Sequence, residues 1–145
     1  MRRDSSETKR KILTVCVRLF LEQGYKNTSV SQIVDEAGVA RGSYLNLFPT
    51  KDRILLDLTE TMFGGQFGMA RSITDTKLPP VYTYALETAI QLTLTELNEN
   101  LREIYIEAYS LPETSEYIYL HTTAELKQIF GENFPDDTES DFYEM

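Results

Sequence analysis

The sequence predicts an all-α fold, with a three-helix head at the N-terminus followed by a C-terminal helical bundle. Three observations lead to this prediction. Apolar residues recur three and four positions apart along most of the chain, which is the spacing of one helix face. Glycine and proline stand at the ends of these periodic segments. No segment shows the strict polar and apolar alternation of a half-buried strand.

The first two helices of the head have recognisable ends. The first is predicted over residues 5–23 and stops at Gly24, because glycine readily adopts the left-handed conformation that follows a helix C-terminus. The second begins at Ser29. Ser29 and Gln32 fit a capping box, in which each side chain accepts from the other's backbone amide. This helix is expected to end near Gly38.

The third helix is predicted over residues 40–47, and Pro49 prevents it from continuing. Thr50 can then cap a fourth helix. The end of the fourth helix stays open, because each interior glycine costs a helix about 1 kcal/mol. It ends near Gly64 or continues, weakened, to residue 73. The glycines in this segment are read either as a hinge or as a loop.

The bundle is expected to contain long amphipathic helices. A fifth helix opens at Pro79-Pro80, and its apolar residues follow at spacings of four, four, three and four, which predicts one buried face. These residues are Leu86, Ile90, Leu94, Leu97 and Leu101. A further helix is predicted over residues 112–130, and residues 137–140 resemble one more helix start.

The composition excludes several classes of protein. One cysteine and one histidine cannot supply the four ligands of a structural zinc site, and one cysteine cannot form an internal disulfide. The longest uncharged stretch has ten residues, about half the length of a membrane helix. The sequence has no nucleophile elbow, phosphate-binding glycine loop or zinc-protease motif. We therefore expect a cytoplasmic protein with no catalytic residues, metal, cofactor or membrane partner.

Charge is distributed unevenly along the chain. Residues 1–53 hold ten basic and six acidic residues, a balance of +4, whereas residues 54–145 hold four basic and seventeen acidic residues, a balance of −13. This asymmetry indicates a basic head for a phosphate backbone and an acidic body for another purpose. Chance clustering on a solvated surface remains the alternative. The predicted domains are residues 1–53, called the head, and residues 54–145, called the body.

Residues 29–48 carry the most informative pattern, SVSQIVDEAGVARGSYLNLF. Two short helices joined by a tight turn at Gly38 form a helix-turn-helix, whose second helix enters the major groove of double-stranded DNA. Small residues allow close approach, and Arg41 can contact a phosphate or a guanine. The predicted DNA-binding residues are Thr28, Ser29, Ala40, Arg41, Gly42, Ser43, Tyr44, Asn46 and Lys51.

From residue 9 to residue 60 the sequence resembles the DNA-binding domain of the tetracycline-repressor-like (TetR) family. The matching residues are Phe20, Gly24-Tyr25, Thr28-Ser29-Val30, Ile33, Ala37-Gly38-Val39, Arg41-Gly42-Ser43, Phe48, Pro49-Thr50-Lys51-Asp52 and Leu55-Leu56. The resemblance implies a homodimeric transcriptional regulator, most often a repressor. Two heads would read a palindromic operator, and the helical body would bind a small-molecule inducer that releases the DNA.

The chain departs from the family pattern late in the third helix. The family usually has a tyrosine followed by histidine or a second aromatic residue, but this chain has Leu45 and Asn46 there. Tyr44 stands where the family buries an aliphatic residue. Its hydroxyl then either finds a partner at the edge of the core or requires a slight rotation of the helix. We expect weaker phosphate contacts as a result.

The resemblance also places a small-molecule effector in the aromatic-rich body. The candidate ligand-binding residues are Phe63, Phe67, Tyr82, Tyr105, Tyr109 and Tyr117, and each has core packing as its alternative role. With Glu96, Glu103 or Glu107 nearby, such aromatics can receive a lipophilic cation. Family members continue with two long dimer-forming helices, so a short member or a C-terminally truncated one is expected. A homodimer is expected if those helices are complete.

Two other functions remain open on the residues alone. One is a helical protein-interaction module whose acidic body binds a basic partner. The other is an enzyme acting on a small aromatic substrate, which would need titratable groups converging in a pocket.

Overall fold

The computed structural model describes residues 2–73 and 78–144. All regular secondary structure in these two ranges is α-helical, which confirms the predicted fold class. The helices are α1 (Arg2–Gln23), α2 (Val30–Ala37), α3 (Arg41–Leu47), α4 (Lys51–Ile73), α5 (Val81–Leu97), α6 (Glu99–Ser110), α7 (Pro112–Phe130) and α8 (Glu139–Tyr143). None of these helices combines the length and apolar character needed to cross a bilayer.

Helices α1, α2 and α3 pack around one apolar core with the first turns of α4. The stripe predicted on α1 lies in this core, where Ile12, Cys16 and Phe20 are fully buried. Burial raises the pKa of the Cys16 thiol to about 12, so the cysteine is a neutral core residue. Leu58 of α4 joins the same core, although it lies beyond the predicted domain boundary at residue 53.

The turns of the head form where the sequence places them. Gly24 has φ of +90° and Gly38 has φ of +62°, both in the left-handed region that favours glycine. Ser29 caps α2, since its Oγ accepts from the Gln32 amide at 3.1 Å. The other predicted hydrogen bond of the capping box, in which the Gln32 side chain accepts from the Ser29 amide, is wrong. The Gln32 amide group pairs instead with Gln23, which ties α2 to α1.

Helix α4 runs without interruption to Ile73, so the longer of the two predicted alternatives is the observed one. Thr50 caps it as expected, with its Oγ1 accepting from the Arg53 amide at 3.2 Å. Its glycines lie inside the helix, and the loop interpretation of this segment is therefore wrong. A Cβ added at Gly64, Gly65 or Gly68 would meet nothing within 4 Å.

The continuous face predicted from Leu86 to Leu101 is wrong. Helix α5 ends at Leu97, and Asn98 starts α6 by accepting a hydrogen bond from the Leu101 amide at 2.9 Å. The asparagine side chain competes with the helical backbone and therefore favours a cap over a helix interior. The break leaves the end of α5 in solvent, where Leu97 is 78% exposed.

Helix α6 docks the body onto the head. Asn100 Nδ2 donates to the carbonyl of Leu21 at 2.8 Å, and the Tyr25 amide donates to Glu103 Oε2 at 2.9 Å. Ile104 enters the head core from the same helix. The remaining helices follow the predicted bounds, with α7 beginning at Pro112 and α8 capped by the Thr138–Asp141 box.

The glycines of α4 give a test of its continuity. Gly64→Ala and Gly68→Ala should each raise the free energy of unfolding by about 0.5–1 kcal/mol, because alanine has the higher helix propensity and meets no neighbour. Gly38→Ala should lower it, since the left-handed backbone strains alanine. Urea denaturation measures all three variants. A loss of stability in both α4 variants would contradict a helix that continues through these positions.

Candidate nucleic-acid interface

Helix α3 presents one face to solvent and the other to the head core. Tyr44 on the inner face and Phe48 just after the helix are fully buried, with their ring centroids 6.0 Å apart. The opposite face is exposed, and it begins at the N-cap of the helix. It consists of Ala40, Arg41, Gly42, Ser43, Leu45 and Asn46. The predicted contacts at its N-terminal end therefore lie together on one accessible surface.

Arg41 stands out on this surface because most cations of the head are already engaged. The ion pairs are Lys9–Asp57, Lys11–Glu7, Arg18–Glu22, Arg18–Glu36, Lys26–Glu107 and Arg53–Glu113. Among the head cations whose side chains the structure describes, Arg10 and Arg41 take part in no ion pair, whereas Lys51 is held by backbone carbonyls. The side chains of Arg2 and Arg3 lie outside the described residues.

Arg10 is a candidate that sequence reasoning missed. It lies on α1, next to the end of α2, where a shallow depression is lined by Arg10, Glu36 and Ala37. The sequence sets Lys11 apart, because Glu7 lies four positions before it on α1, but it gives no signal that separates Arg10 from Lys9. Lys9 and Arg10 are distinguished only in the fold, where Asp57 of α4 pairs with Lys9.

Ser29 places the open end of α2 at the surface. Its side chain is exposed and satisfies the Gln32 amide, while the amides of Val30 and Ser31 belong to the first turn, where no helical carbonyl precedes them. Such an end attracts anions through its amides and through the helix dipole. This geometry can receive a phosphate oxygen.

Two predicted DNA contacts are wrong, because their side chains are buried. Thr28 is 2% exposed, and its hydroxyl donates to the carbonyl of Gly24 at 2.8 Å. Tyr44 is fully buried, and its hydroxyl has no hydrogen-bond partner among the described residues. Burial raises the pKa of Tyr44 to about 12, so it stays neutral. The edge-of-core partner considered for Tyr44 is not found.

Lys51 differs from its prediction as a phosphate contact. Its Nζ donates to the carbonyls of Tyr25 at 2.7 Å and Thr28 at 3.0 Å, and it lies 4.0 Å from the centre of the Tyr25 ring. Partial burial lowers the pKa of the ammonium. Lys51 therefore binds the loop between α1 and α2 to the start of α4, and it positions the interface from within the head.

Of the aromatic ligand candidates whose side chains are described, Phe63, Tyr105 and Tyr117 pack in one cluster. Phe63 packs edge-on against both Tyr105 and Tyr109, whereas Tyr82 is half exposed. Tyr117 stacks on His121 at 5.5 Å. The side chain of Phe67 lies outside the described residues.

A separate cavity of about 480 Å³ lies between α1, α4, α5 and α6, and we call it the chamber. Its walls include Phe20, Leu58, Met62, Gln66, Leu94 and Tyr105. Of the five aromatic candidates with described side chains, Tyr105 is the one that lines it.

The carboxylates proposed for a lipophilic cation are used elsewhere or stay in solvent. Glu103 accepts from the Tyr25 amide, Glu107 pairs with Lys26, and Glu96 is exposed. Among the described residues, no group of three or more histidine, cysteine or acidic side chains is arranged to hold a metal ion.

The arrangement of α2, the Gly38 turn and α3 defines a helix-turn-helix protein, and the helical body adds a second unit to it. Residues 12–58 match the family model described as bacterial regulatory proteins, tetR family. Over this segment the chain resembles the TetR family.

Relatives of known sequence carry regulator names. The chain is 28% identical over 116 residues to the uncharacterized HTH-type transcriptional regulator YuxN of Bacillus subtilis (strain 168), covering 76% of this chain and 38% of the relative. It is 29% identical over 70 residues to the HTH-type transcriptional repressor KstR2 of Mycolicibacterium smegmatis, covering 48% and 34%. It is 36% identical over 59 residues to the HTH-type transcriptional regulator AcrR of Shigella flexneri, covering 41% and 27%. The chain thus spans less than two fifths of the length of these relatives.

A solved structure shares the fold over nearly the whole chain. The crystal structure of a gamma-butyrolactone receptor (ArpA like protein) superposes with a TM-score of 0.54 at 18% identity, covering 97% of this chain and 75% of the receptor chain. The likeness therefore extends past the head into the helical body.

The two buried tyrosines of the head should respond oppositely to loss of their hydroxyls. Tyr44→Phe should leave the free energy of unfolding unchanged or raise it by about 1 kcal/mol, because it removes an unpaired buried hydroxyl. Tyr25→Phe should lower it by about 1–2 kcal/mol, because the Tyr25 hydroxyl donates to Asp52 at 2.6 Å. Urea titration compares them, and a larger loss in Tyr44→Phe would show that its hydroxyl has a partner.

Replacing Lys51 should weaken the head itself. Lys51→Met should lower the free energy of unfolding by about 2 kcal/mol or more, since two loop carbonyls lose a charged donor. Lys11→Met is the matched control and should change it by less than about 0.5 kcal/mol, because its ion pair with Glu7 is exposed. Equal free energies of unfolding for Lys51→Met and Lys11→Met, measured in urea, would contradict the positioning role of Lys51.

Proposed function

We propose that this protein is a transcriptional regulator that binds double-stranded DNA through helix α3. The observation that carries the proposal is the outer face of α3, where Arg41 is exposed and forms no ion pair within the described part of the chain. The family match over residues 12–58 and the regulator names of the relatives support it.

The N-terminal half of α3 has the chemistry for reading a major groove. The Arg41 guanidinium can donate two parallel hydrogen bonds to a guanine or bind a phosphate. Ser43 and Asn46 add short polar groups on the same exposed face, and Leu45 offers an apolar contact to a thymine methyl.

Gly42 supports the same interpretation. A Cβ at this position would meet nothing within 4 Å, so the packing of the chain itself does not require glycine here. Its missing side chain, next to the small Ala40 at the N-cap, leaves room for a sugar–phosphate backbone to approach α3 closely. Ser29 and the first amides of α2 would bind a second phosphate.

We further infer that two copies bind a palindromic operator, that binding represses transcription, and that a small molecule releases the DNA. A two-fold dimer presents its heads to half-sites one helical turn apart, about 34–36 Å. The relative KstR2, which is named a transcriptional repressor, supports repression over activation. The docking of α6 supports the release, because Asn100 holds α1 and Glu103 holds the loop after it, so that a shift of α6 would move the head.

Arg41→Ala tests DNA binding directly. In a gel shift with the DNA flanking its own gene, the variant should bind about tenfold or more weakly than the wild type. The slope of the logarithm of affinity against the logarithm of salt concentration should fall by about one if the contact is a phosphate. Arg41→Lys should restore the phosphate contact, whereas a bidentate contact to guanine would stay lost.

Arg102→Ala is the matched control, since it removes the same charge from an exposed position of the body. It should bind the DNA like the wild type at every salt concentration used to measure the slope. The proposed function fails if Arg41→Ala also binds the DNA like the wild type at all of them.

A further inference from the structure

We propose that the chamber binds an uncharged, largely hydrocarbon molecule that donates one hydrogen bond to the side-chain oxygen of Gln66. This inference rests on the proposed function, because it names the chemical class of the molecule that releases the DNA. It also places the head helix α1 in direct contact with that molecule.

The size and lining of the chamber suit a small apolar ligand. Its volume of about 480 Å³ lies within the range of small-molecule sites, which is about 300–1,000 Å³. The walls are formed by apolar side chains, such as Leu58 and Met62 of α4, Ile90 and Leu94 of α5, and Ile104 of α6. Removing hydrocarbon from water against such walls is favourable in proportion to the area covered.

Gln66 supplies the specific polar contact. It is 93% buried, it lines the chamber, and its Nε2 donates to the hydroxyl of Tyr105. Its Oε1 has no hydrogen-bond partner within the described part of the chain. A buried acceptor without a donor is unfavourable, so a small shift of the Gln66 side chain that brings Oε1 to a ligand hydroxyl or N–H would be favoured, and such a ligand would be bound selectively.

Charge on the ligand is disfavoured. None of the described side chains lining the chamber is acidic or basic. The nearest acidic residues of α6 are engaged with the head, since Glu103 accepts from Tyr25 and Glu107 pairs with Lys26. An anionic ligand, such as a carboxylate, would therefore lose its water without gaining a cationic partner from the chamber walls.

One wall of the chamber belongs to the DNA-binding head. Val17, Phe20 and Leu21 of α1 line it, and the Leu21 carbonyl also accepts the Asn100 hydrogen bond that docks the body. Phe20 packs edge-on against Tyr25 at 5.1 Å, so a molecule in the chamber is one side chain away from the residue that Lys51 holds. Occupancy thus acts directly on the contact between head and body.

The test uses the full-length protein chain and three competing probes that each carry a twelve-carbon alkyl group. Bound Nile red reports occupancy by fluorescence, and 1-dodecanol, dodecyl methyl ether and dodecanoate compete for the site. The alcohol should displace Nile red at a concentration at least tenfold lower than the ether, because only the alcohol can donate to Gln66. Dodecanoate should be at least tenfold weaker than the alcohol at pH 8, where it is ionised.

Two substitutions separate the polar contact from the cavity. Gln66→Leu should abolish the preference for alcohol over ether while the ether still binds. Gly65→Leu should abolish binding of both, because Gly65 lines the chamber and has open space at its Cβ position. Gly64→Leu adds the same side chain to the neighbouring position of α4, which does not line the chamber, and it should bind both probes like the wild type.

Several results would overturn the inference. Equal displacement by alcohol and ether in the wild type would exclude the Gln66 contact, and tightest binding of dodecanoate would exclude an uncharged ligand. If no probe binds and Gly65→Leu converts a dimer to a monomer in sedimentation, a second copy fills the chamber instead. The probes should displace Nile red from Arg41→Ala at the same concentrations as from the wild type. Failure of DNA binding and failure of ligand binding are then observed independently.

Discussion

The orientation of the helix-turn-helix depends on one ammonium group held by the loop that connects α1 and α2. Lys51 satisfies two carbonyls of this loop, those of Tyr25 and Thr28, and stands over the Tyr25 ring. Tyr25 in turn donates its hydroxyl to Asp52 at the start of α4 and its amide to Glu103 of α6. Helices α4 and α6 therefore meet at this tyrosine, and the loop that precedes the helix-turn-helix has a fixed position relative to both α4 and the body.

The uneven charge of the chain contributes to the junction between head and body, by which we mean the contacts of Tyr25 and Lys51 with α4 and α6 and the ion pairs around them. An excess of basic residues in the head and of acidic residues in the body favours their association, as in the pair Lys26–Glu107 and the more exposed pair Arg53–Glu113. Exposed pairs of this kind contribute about 0–1 kcal/mol each. These ion pairs reduce the number of unpaired basic side chains in the head. Arg41 on α3 is therefore the more important as a potential contact for a polyanion.

The chamber and the junction share a side chain, and this links the two ends of the proposed mechanism. Phe20 lines the chamber with one part of its surface and packs against Tyr25 with another. Protein interiors are close-packed, so a ligand that displaces Phe20 must also displace its neighbours, including Tyr25. A ligand would need to bind the DNA-released arrangement only about tenfold more tightly to shift the equilibrium by about 1.4 kcal/mol.

The sequence by itself determined the helices and their caps, because these depend on neighbouring residues. Glycine at 24 and 38 and the cap at Ser29 sit where the residue pattern predicts, and the exposed Arg41 follows from the same local pattern. Only the tertiary structure decided which cations are free, since the folded loop places two carbonyls at the Lys51 ammonium and leaves Arg41 exposed. It also decided how α1, α4, α5 and α6 come together to line the chamber, because this outcome depends on packing between residues far apart in the chain.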